Sequence, residues 1–254
     1  MTTNTATYLG YGRDFADVYD QIFPRDAVAP AEIEWLAQHV PNQSAHILEL
    51  GVGTGRIAIP LAQHLSERGT PICYRGIDVS PEMIARLAVV DTDGLISCQI
   101  DDMIDGDYPD GNDMILCVCG TLAMATAADD QAIVFRKASA ALKPGGTFVV
   151  ETHNPDLVQA MHQQHSITYA VPYPGPGQAL VSFSELEGSD WHLDHCWIDN
   201  GTATFMSEDS RVTTLAELDA YASATGFTAV CHTAGLTGSP IEPLSGTVTA
   251  VYRK

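Results

Sequence analysis

An α/β fold built on a doubly wound, mostly parallel sheet is predicted by three features of the 254-residue sequence. First, short apolar runs suited to buried strands alternate with stretches of helical periodicity from residue 45 to about residue 155. Second, the first strand meets its helix at a glycine cluster, Glu49-Leu50-Gly51-Val52-Gly53-Thr54-Gly55-Arg56. Such a junction offers free backbone N–H groups at a helix start and lets a ligand approach the main chain closely. Third, the next strand ends on an acidic residue, Asp78, where a carboxylate can accept hydrogen bonds from ribose hydroxyls.

The elements follow in order. Phe15, Val18, Tyr19, Ile22 and Phe23 recur at three- and four-residue spacing and predict an amphipathic helix ending at Pro24. Residues 30–40 read as a second helix with Ile33, Leu36, Ala37 and Val40 on one face. Ile47, Leu48 and Leu50 form the first strand, and Ile57 to Leu65 the helix after the glycines. Strand 72–77 leads into helix 81–90, with Ser80 as N-cap and Pro81 in the first turn. Strand 95–100, the acidic loop from Asp105 to Asn112, strand 114–119 and helix 129–141 continue the alternation. Lys143-Pro144-Gly145-Gly146 reads as a turn into a fifth strand that delivers Glu151-Thr152-His153.

Beyond a helical stretch near residues 156–165 the pattern changes. A Pro/Gly-rich connector, residues 172–177, precedes three expected strands at 179–186, 190–198 and 202–207, the last two joined by an Asp199-Asn200-Gly201 hairpin turn. Alternation puts Trp191, Leu193, His195 and Trp197 on one face and His192 on the other, which argues against a metal shared by the two histidines. A helix at 212–222 and strands 227–232 and 246–252 close the chain.

Composition narrows the function. The formal net charge is −20 with only 12 Lys plus Arg, too few bases for a phosphate-binding face, so nucleic acid is not an expected partner. A neutral or cationic small molecule is easier to accommodate. No stretch approaches the roughly 18 apolar residues of a membrane span, and the start lacks a signal-peptide pattern, so a cytoplasmic protein is expected. The six cysteines include no C-x-x-C pair and read as structural thiols. No metal site is expected, since adjacent Asp101 and Asp102 are more often caps or solvated groups.

The glycine cluster and the segment Gly76-Ile77-Asp78-Val79-Ser80-Pro81 together resemble class I S-adenosylmethionine (SAM)-dependent methyltransferases. Gln99-Ile100-Asp101-Asp102-Met103 and Leu142-Lys143-Pro144-Gly145-Gly146 to Glu151 resemble that family's later motifs, in the same order. The match is close over roughly residues 45–155 and loose elsewhere, and its character is that of the small-molecule, natural-product branch. It implies a Rossmann-like, seven-stranded sheet with an antiparallel last strand, an N-terminal helical lid and an inserted small antiparallel sheet. The corresponding division is a lid at 1–44, a SAM-binding core at 45–155, an insertion over the acceptor pocket at 156–210 and closing elements at 211–254.

The same resemblance implies the site. SAM is the cofactor and S-adenosylhomocysteine the product. Gly51, Gly53 and Gly55 hold the methionine part, with Glu49 near its amino end. Asp78 binds the ribose, Val79 and Met83 pack about the adenine, and Asp102 and Met103 meet its polar edge, with Asp101 as an alternative acid. Cys117, near the end of the fourth strand, borders the cofactor. Tyr11 and Tyr19 of the lid lie near the transferable methyl. His153 has a catalytic position at the end of the fifth strand, and histidine is easily tuned near neutral pH. In related N-methyltransferases a histidine after the fourth strand can act as base, but here Met124 stands near that place. Trp191, His195 and Trp197 are expected to line the acceptor pocket. The expected reaction is in-line methyl transfer to a nitrogen or carbon nucleophile of a small molecule. O-methylation is the alternative, followed by a nicotinamide-dependent oxidoreductase, whose fingerprint Arg56 breaks, or a non-catalytic module.

Overall fold

The structure is a computed structural model that describes residues 12–13, 15–41, 44–163 and 165–254. Central strands form where apolar residues run without a break. In β1 (Ala45–Leu50), Ile47, Leu48 and Leu50 are wholly buried, because a parallel strand covered on both faces has no solvent side. The sequential elements around it are α1 (Tyr19–Ile22), α2 (Pro30–Ala37), α3 (Ala58–Glu67), β2 (Ile72–Asp78), α4 (Pro81–Val90), β3 (Ile96–Ile100) and β4 (Asn112–Cys117). Then come α5 (Ala128–Ala141), β5 (Leu142–His153), α6 (Pro155–Met161), α7 (Leu215–Ala224), β10 (Thr228–Ala234) and β11 (Thr247–Arg253). Between α6 and α7 run β6 (Ser166–Pro172), β7 (Ala179–Glu187), β8 (Asp190–Asp199) and β9 (Thr202–Arg211).

The main sheet has seven strands in the order β10-β11-β5-β4-β1-β2-β3. β1 pairs in parallel with β2 and β4, and β11 is antiparallel to both its neighbours. The fold is thus the mixed α/β architecture expected, antiparallel last strand included. Two apolar layers cover the sheet. Val134, Phe135, Phe148 and Leu218 pack on one face, and Ile33, Leu36, Leu61 and Tyr74 on the other. Local signals set the helix starts: the Ser80 hydroxyl accepts the Met83 N–H at 3.2 Å, and Thr214 with Glu217 makes a capping box.

Two local expectations change. The turn at residues 143–146 becomes an excursion within β5: Leu142 pairs with Asn112, and pairing with β4 resumes only at Thr147 opposite Met114. Gly145 takes φ +80° there and donates its N–H to the Lys254 carbonyl at 2.8 Å, so the closing residue stitches the excursion down. The second sheet has four strands, ordered β6-β7-β8-β9, one more than expected. Strand β6 alternates Ile167, Tyr169 and Val171, but Pro172 at its end reads as a break, which hid it.

Residues 15–23 join the two sheets. Phe15, Val18 and Ile22 pack with Met83 of the core and with Leu180, Trp197 and Met206 of the second sheet. Among the described residues no helix is long and apolar enough to cross a membrane.

Candidate active site

The carboxyl ends of the parallel strands open into a cleft of about 640 Å³, roofed by residues 15–23 and by the inner face of the second sheet. This is where a doubly wound fold places its ligands. The volume lies in the usual range for small-molecule sites, roughly 300–1,000 Å³.

The glycine turn forms its floor. Gly51 and Gly53 have φ +66° and +53°, conformations that a side chain disfavours. A Cβ on Gly51 would lie 2.5 Å from Thr121, whereas one on Gly53 would meet no protein atom within 4 Å. Gly51 therefore serves packing, and Gly53 faces open cleft. Asp78 ties the turn to the second strand: its carboxylate accepts the Gly53 N–H at 2.8 Å and the Ser80 N–H at 2.9 Å. Burial raises the Asp78 pKa, and these two donors oppose that rise.

Beneath the turn Glu49 is buried and accepts the Tyr74 hydroxyl at 2.5 Å. Burial pushes its carboxyl up to about 8; the Tyr74 hydrogen bond pulls it down and nearby Asp78 adds to the rise. Arg56 is the only Lys or Arg among the described residues lining the cleft. Its guanidinium stands over the Phe23 ring at 5.7 Å, and its buried Nε has no hydrogen-bond partner. Burial opposes its charge, but Cys119, Tyr19 and Glu151 nearby outweigh that and hold its pKa above the usual value. Burial likewise pushes the Tyr19 hydroxyl up. Residues 20–25 are fastened to the turn, since Thr54 donates to Asp20 at 2.7 Å and Arg25 donates to the Thr54 carbonyl at 3.0 Å.

At the end of β3, Asp101 accepts the Asp102 N–H at 2.9 Å, and Asp102 accepts the Ile104 N–H at 2.6 Å. Both carboxylates brace the loop and line the cleft with Met103. The chain leaves β4 through two left-handed residues, Cys119 (φ +57°) and Gly120 (φ +77°). Glu151 holds that strained turn, accepting the Cys119 N–H and the Thr247 hydroxyl, each at 2.9 Å. His153 sits beside it with its ring edge-on to Trp191, centroids 4.8 Å apart. Gly120 makes room for the ring: a Cβ there would lie 3.2 Å from Nε2. Burial lowers the His153 pKa to about 4, so the imidazole is neutral.

The second sheet supplies the opposite wall. His195 meets the Ser182 hydroxyl at 2.8 Å through Nδ1, and its Nε2 lies 3.9 Å from Glu208. Burial drives His195 down to about 4 and Glu208 up from the usual carboxylate value. His192 points to the other face, paired with Asp209 at 2.7 Å, as alternation requires.

Of the residues expected at the site, Glu49, Gly51, Gly53, Asp78, Val79 and Met83 line the cleft with Asp101, Asp102 and Met103. Tyr19, His153, Trp191 and His195 line it too, as does Met124. Three expected residues do not line it. Gly55 is turned toward Ile59 and Leu87, where a Cβ would meet side chains at 3.0–3.1 Å. Cys117 is wholly buried in the sheet core. Trp197 lies on the expected face but behind Tyr173, a lining residue whose ring centroid is 4.8 Å from its own, edge-on. Tyr11 lies outside the described residues.

Arg56, Cys119, Glu151, Tyr169 and Glu208 line the cleft without having been expected there. A base beside a glycine turn, in a chain with so few bases, was a usable signal for Arg56. Glu208 escaped because β9 runs four residues beyond its expected end at 207. Among the described residues no group of three or more His, Cys, Asp or Glu is placed to hold a metal ion.

A family model described as a methyltransferase domain matches residues 41–197. A curated relative, ubiquinone biosynthesis O-methyltransferase from Xylella fastidiosa, is 28% identical over 142 residues, 54% of this chain and 54% of the relative. The chain spans about half the length of the curated relatives it matches. Among solved structures, the CcbJ methyltransferase from Streptomyces caelestis superposes with a TM-score of 0.82 at 26% identity, covering 97% of this chain and 98% of that one. SAM-bound CalS10, an amino pentose methyltransferase from Micromonospora echinaspora, gives 0.68 at 20% identity, with 92% and 96% covered.

Proposed function

The chain belongs to the methyltransferase-domain family, and from that premise we propose that it transfers the methyl group of SAM to a nitrogen or carbon nucleophile of a small, neutral or cationic molecule by in-line displacement. The charge lining of the cleft carries the choice of acceptor. Seven acidic side chains, those of Glu32, Glu49, Asp78, Asp101, Asp102, Glu151 and Glu208, face it against the single cation of Arg56, and acids outnumber that cation even with Glu49 held neutral by burial. An anionic acceptor would enter against that field; a basic one is drawn in. The same imbalance, with a net charge of −20, disfavours nucleic acid.

The residues fit the cofactor. The open space over Gly53 and the unpartnered Nε of Arg56 are what the polar end of an amino acid needs. Glu49 would take its ammonium and Arg56 its carboxylate. Asp78 would accept the ribose hydroxyls, Val79 and Met83 would flank the adenine, and Asp102 with the Met103 backbone would meet its polar edge. When bound, SAM supplies a methyl group activated by a positively charged sulfur. The chain's task is then alignment and exclusion of water. Phe15, Tyr19 and Phe23 close the cleft from the lid, and Trp191 with Leu193 closes it from the sheet.

A hydroxyl acceptor is the second reading. His153 favours it, because a neutral imbedded imidazole with no hydrogen bond to the described residues is free to take a hydroxyl proton. Two measurements test the proposal: calorimetric titration with S-adenosylhomocysteine, and a methyl-label assay over paired small amines, phenols and alcohols with mass analysis of products. Binding of the nucleoside with label on an amine or ring carbon is expected. Failure to bind it overturns the methyl-transfer reading, and label on oxygen alone selects the second reading.

A further inference from the structure

We propose that Glu208 is the residue that recognises a basic nitrogen of the acceptor and takes its proton before methyl transfer. The proposal rests on the methyl-transfer reading and specifies its substrate class. Glu208 lies on β9 opposite Leu193, on the face of the second sheet that lines the cleft. Its Oε1 accepts the Ser210 hydroxyl at 2.6 Å, which fixes the carboxyl group in place. The Ser210 hydroxyl also lies 4.0 Å from Sδ of Met124, so the acid sits close to the turn that follows β4. Its Oε2 has no hydrogen bond among the described residues and stands 3.9 Å from a histidine that burial keeps neutral.

The other carboxylates of this half of the cleft are already employed. Glu151 uses one oxygen on the Cys119 N–H and the other on the Thr247 hydroxyl, and Glu32 caps a helix through the Ala29 N–H at 2.8 Å. Glu208 bridges no such elements; Ser210 is two residues away on the same strand. A carboxylate in a wall of Trp191, Leu193 and Met124 is unfavourable unless a positive charge joins it. No Lys or Arg among the described residues supplies that charge here, since Arg56 stands on the glycine turn beside Tyr19 and Cys119. An ammonium on the acceptor would supply it.

Burial acts on both partners in the direction the reaction needs, raising the proton affinity of a carboxylate and lowering that of an ammonium. The Glu208 carboxylate accepts one proton from R–NH3+, leaving R–NH2 with a free lone pair. That pair forms the new N–CH3 bond as the S–CH3 bond breaks and its electrons stay on sulfur. The products are R–NH2–CH3+ and the neutral thioether, and the proton on Glu208 passes to water when the site opens.

The test is E208Q, which keeps the shape and an acceptor for Ser210, with E208D as the variant that keeps the charge. A panel of arylalkyl amines and amino sugars, each paired with its hydroxyl isostere, is assayed for label transfer from SAM, and S-adenosylhomocysteine affinity is measured on every variant. In wild type the best acceptor is an amine. E208Q lowers its kcat/KM at least tenfold while nucleoside affinity stays within twofold, and E208D retains more activity than E208Q. Preference for a hydroxyl acceptor in wild type, or unchanged amine kcat/KM in E208Q, overturns the role of Glu208. Absence of nucleoside binding in wild type overturns the methyl-transfer reading instead, and this assignment with it.

Discussion

The Tyr74 hydroxyl on β2 donates to Glu49 on β1 across 2.5 Å, beneath the glycine turn and out of contact with water. The two residues are not register partners, Glu49 lying opposite Gly76 and Tyr74 opposite Ile47, and the missing side chain at Gly76 makes room for Val52 of the turn, which a Cβ there would meet at 2.7 Å. The bond holds a buried acid that is protonated at neutral pH in the free protein and suited to ionise when a cation arrives.

That acid makes binding depend on pH. Glu49 titrates at about 8 when folded against 4.5 as an ordinary side chain. Its folded value is raised, so its contribution to stability is complete below about 4.5 and is lost as pH rises through about 8. Glu49→Gln should therefore raise Tm at pH 8.5 and leave it nearly unchanged at pH 4. An ammonium beside Glu49 favours the ionised form, so nucleoside binding at pH 7 should release a proton. Calorimetry in two buffers of different ionisation enthalpy reads this directly; identical apparent enthalpies would refute it.

One substitution separates the hold of Asp78 on the glycine turn from its proposed contact with the ribose. Asp78→Asn keeps an oxygen for one backbone N–H but removes the charge offered to the ribose. S-adenosylhomocysteine affinity should fall about 10- to 150-fold, the equivalent of roughly 1.5–3 kcal/mol for hydrogen bonds to a charged group. Unchanged affinity in a calorimetric titration would remove Asp78 from the ribose site.

Gly51 and Gly53 should fail differently. Ala at either position pays for a left-handed backbone, about 1–2 kcal/mol. Gly51→Ala also drives a Cβ into Thr121, so its main effect is a lower Tm. Gly53→Ala meets no protein atom, and its main effect is weaker nucleoside binding. Melting curves with and without S-adenosylhomocysteine distinguish the pair, and equal loss of ligand-free Tm in both would contradict the assignment.

His153 should show its role in the pH profile. With its pKa lowered to about 4, it is ready to accept a proton throughout the neutral range, and that capacity is lost only as pH falls through about 4. If it serves as base for a hydroxyl acceptor, His153→Ala lowers kcat by about 10²-fold or more and removes that acidic limb. If it only positions substrate against Trp191, KM rises and kcat holds. Nucleoside affinity should hold in both cases, because the residues assigned to the cofactor lie on β1, the glycine turn, the start of α4 and the ends of β2 and β3. Unchanged kcat and KM would take His153 out of the site.

Residues 45–103 were legible because their signals are local. An apolar run ending in glycines must turn, Ser80-Pro81 must start a helix, and Asp78 must then sit at a strand tip beside the turn. Alternation in β8 also correctly separated His192 from Trp191 and His195, since a strand fixes which side chains share a face. What alternation cannot fix is which side chains of that face other residues cover. Trp197 has the right parity and is nonetheless covered by Tyr173 and Phe15, which come from parts of the chain far from it in sequence. Glu208 comes beside His195 through the β8–β9 hairpin, whose second strand runs past its expected end, and beside Met124 through the packing of β9 on residues 121–124, more than 80 residues away in the chain. Backbone propensity acts over a few neighbours and so writes the glycine turn into the sequence; the opposite wall of the cleft is set by the packing of the second sheet on residues 121–124, which only the folded chain decides.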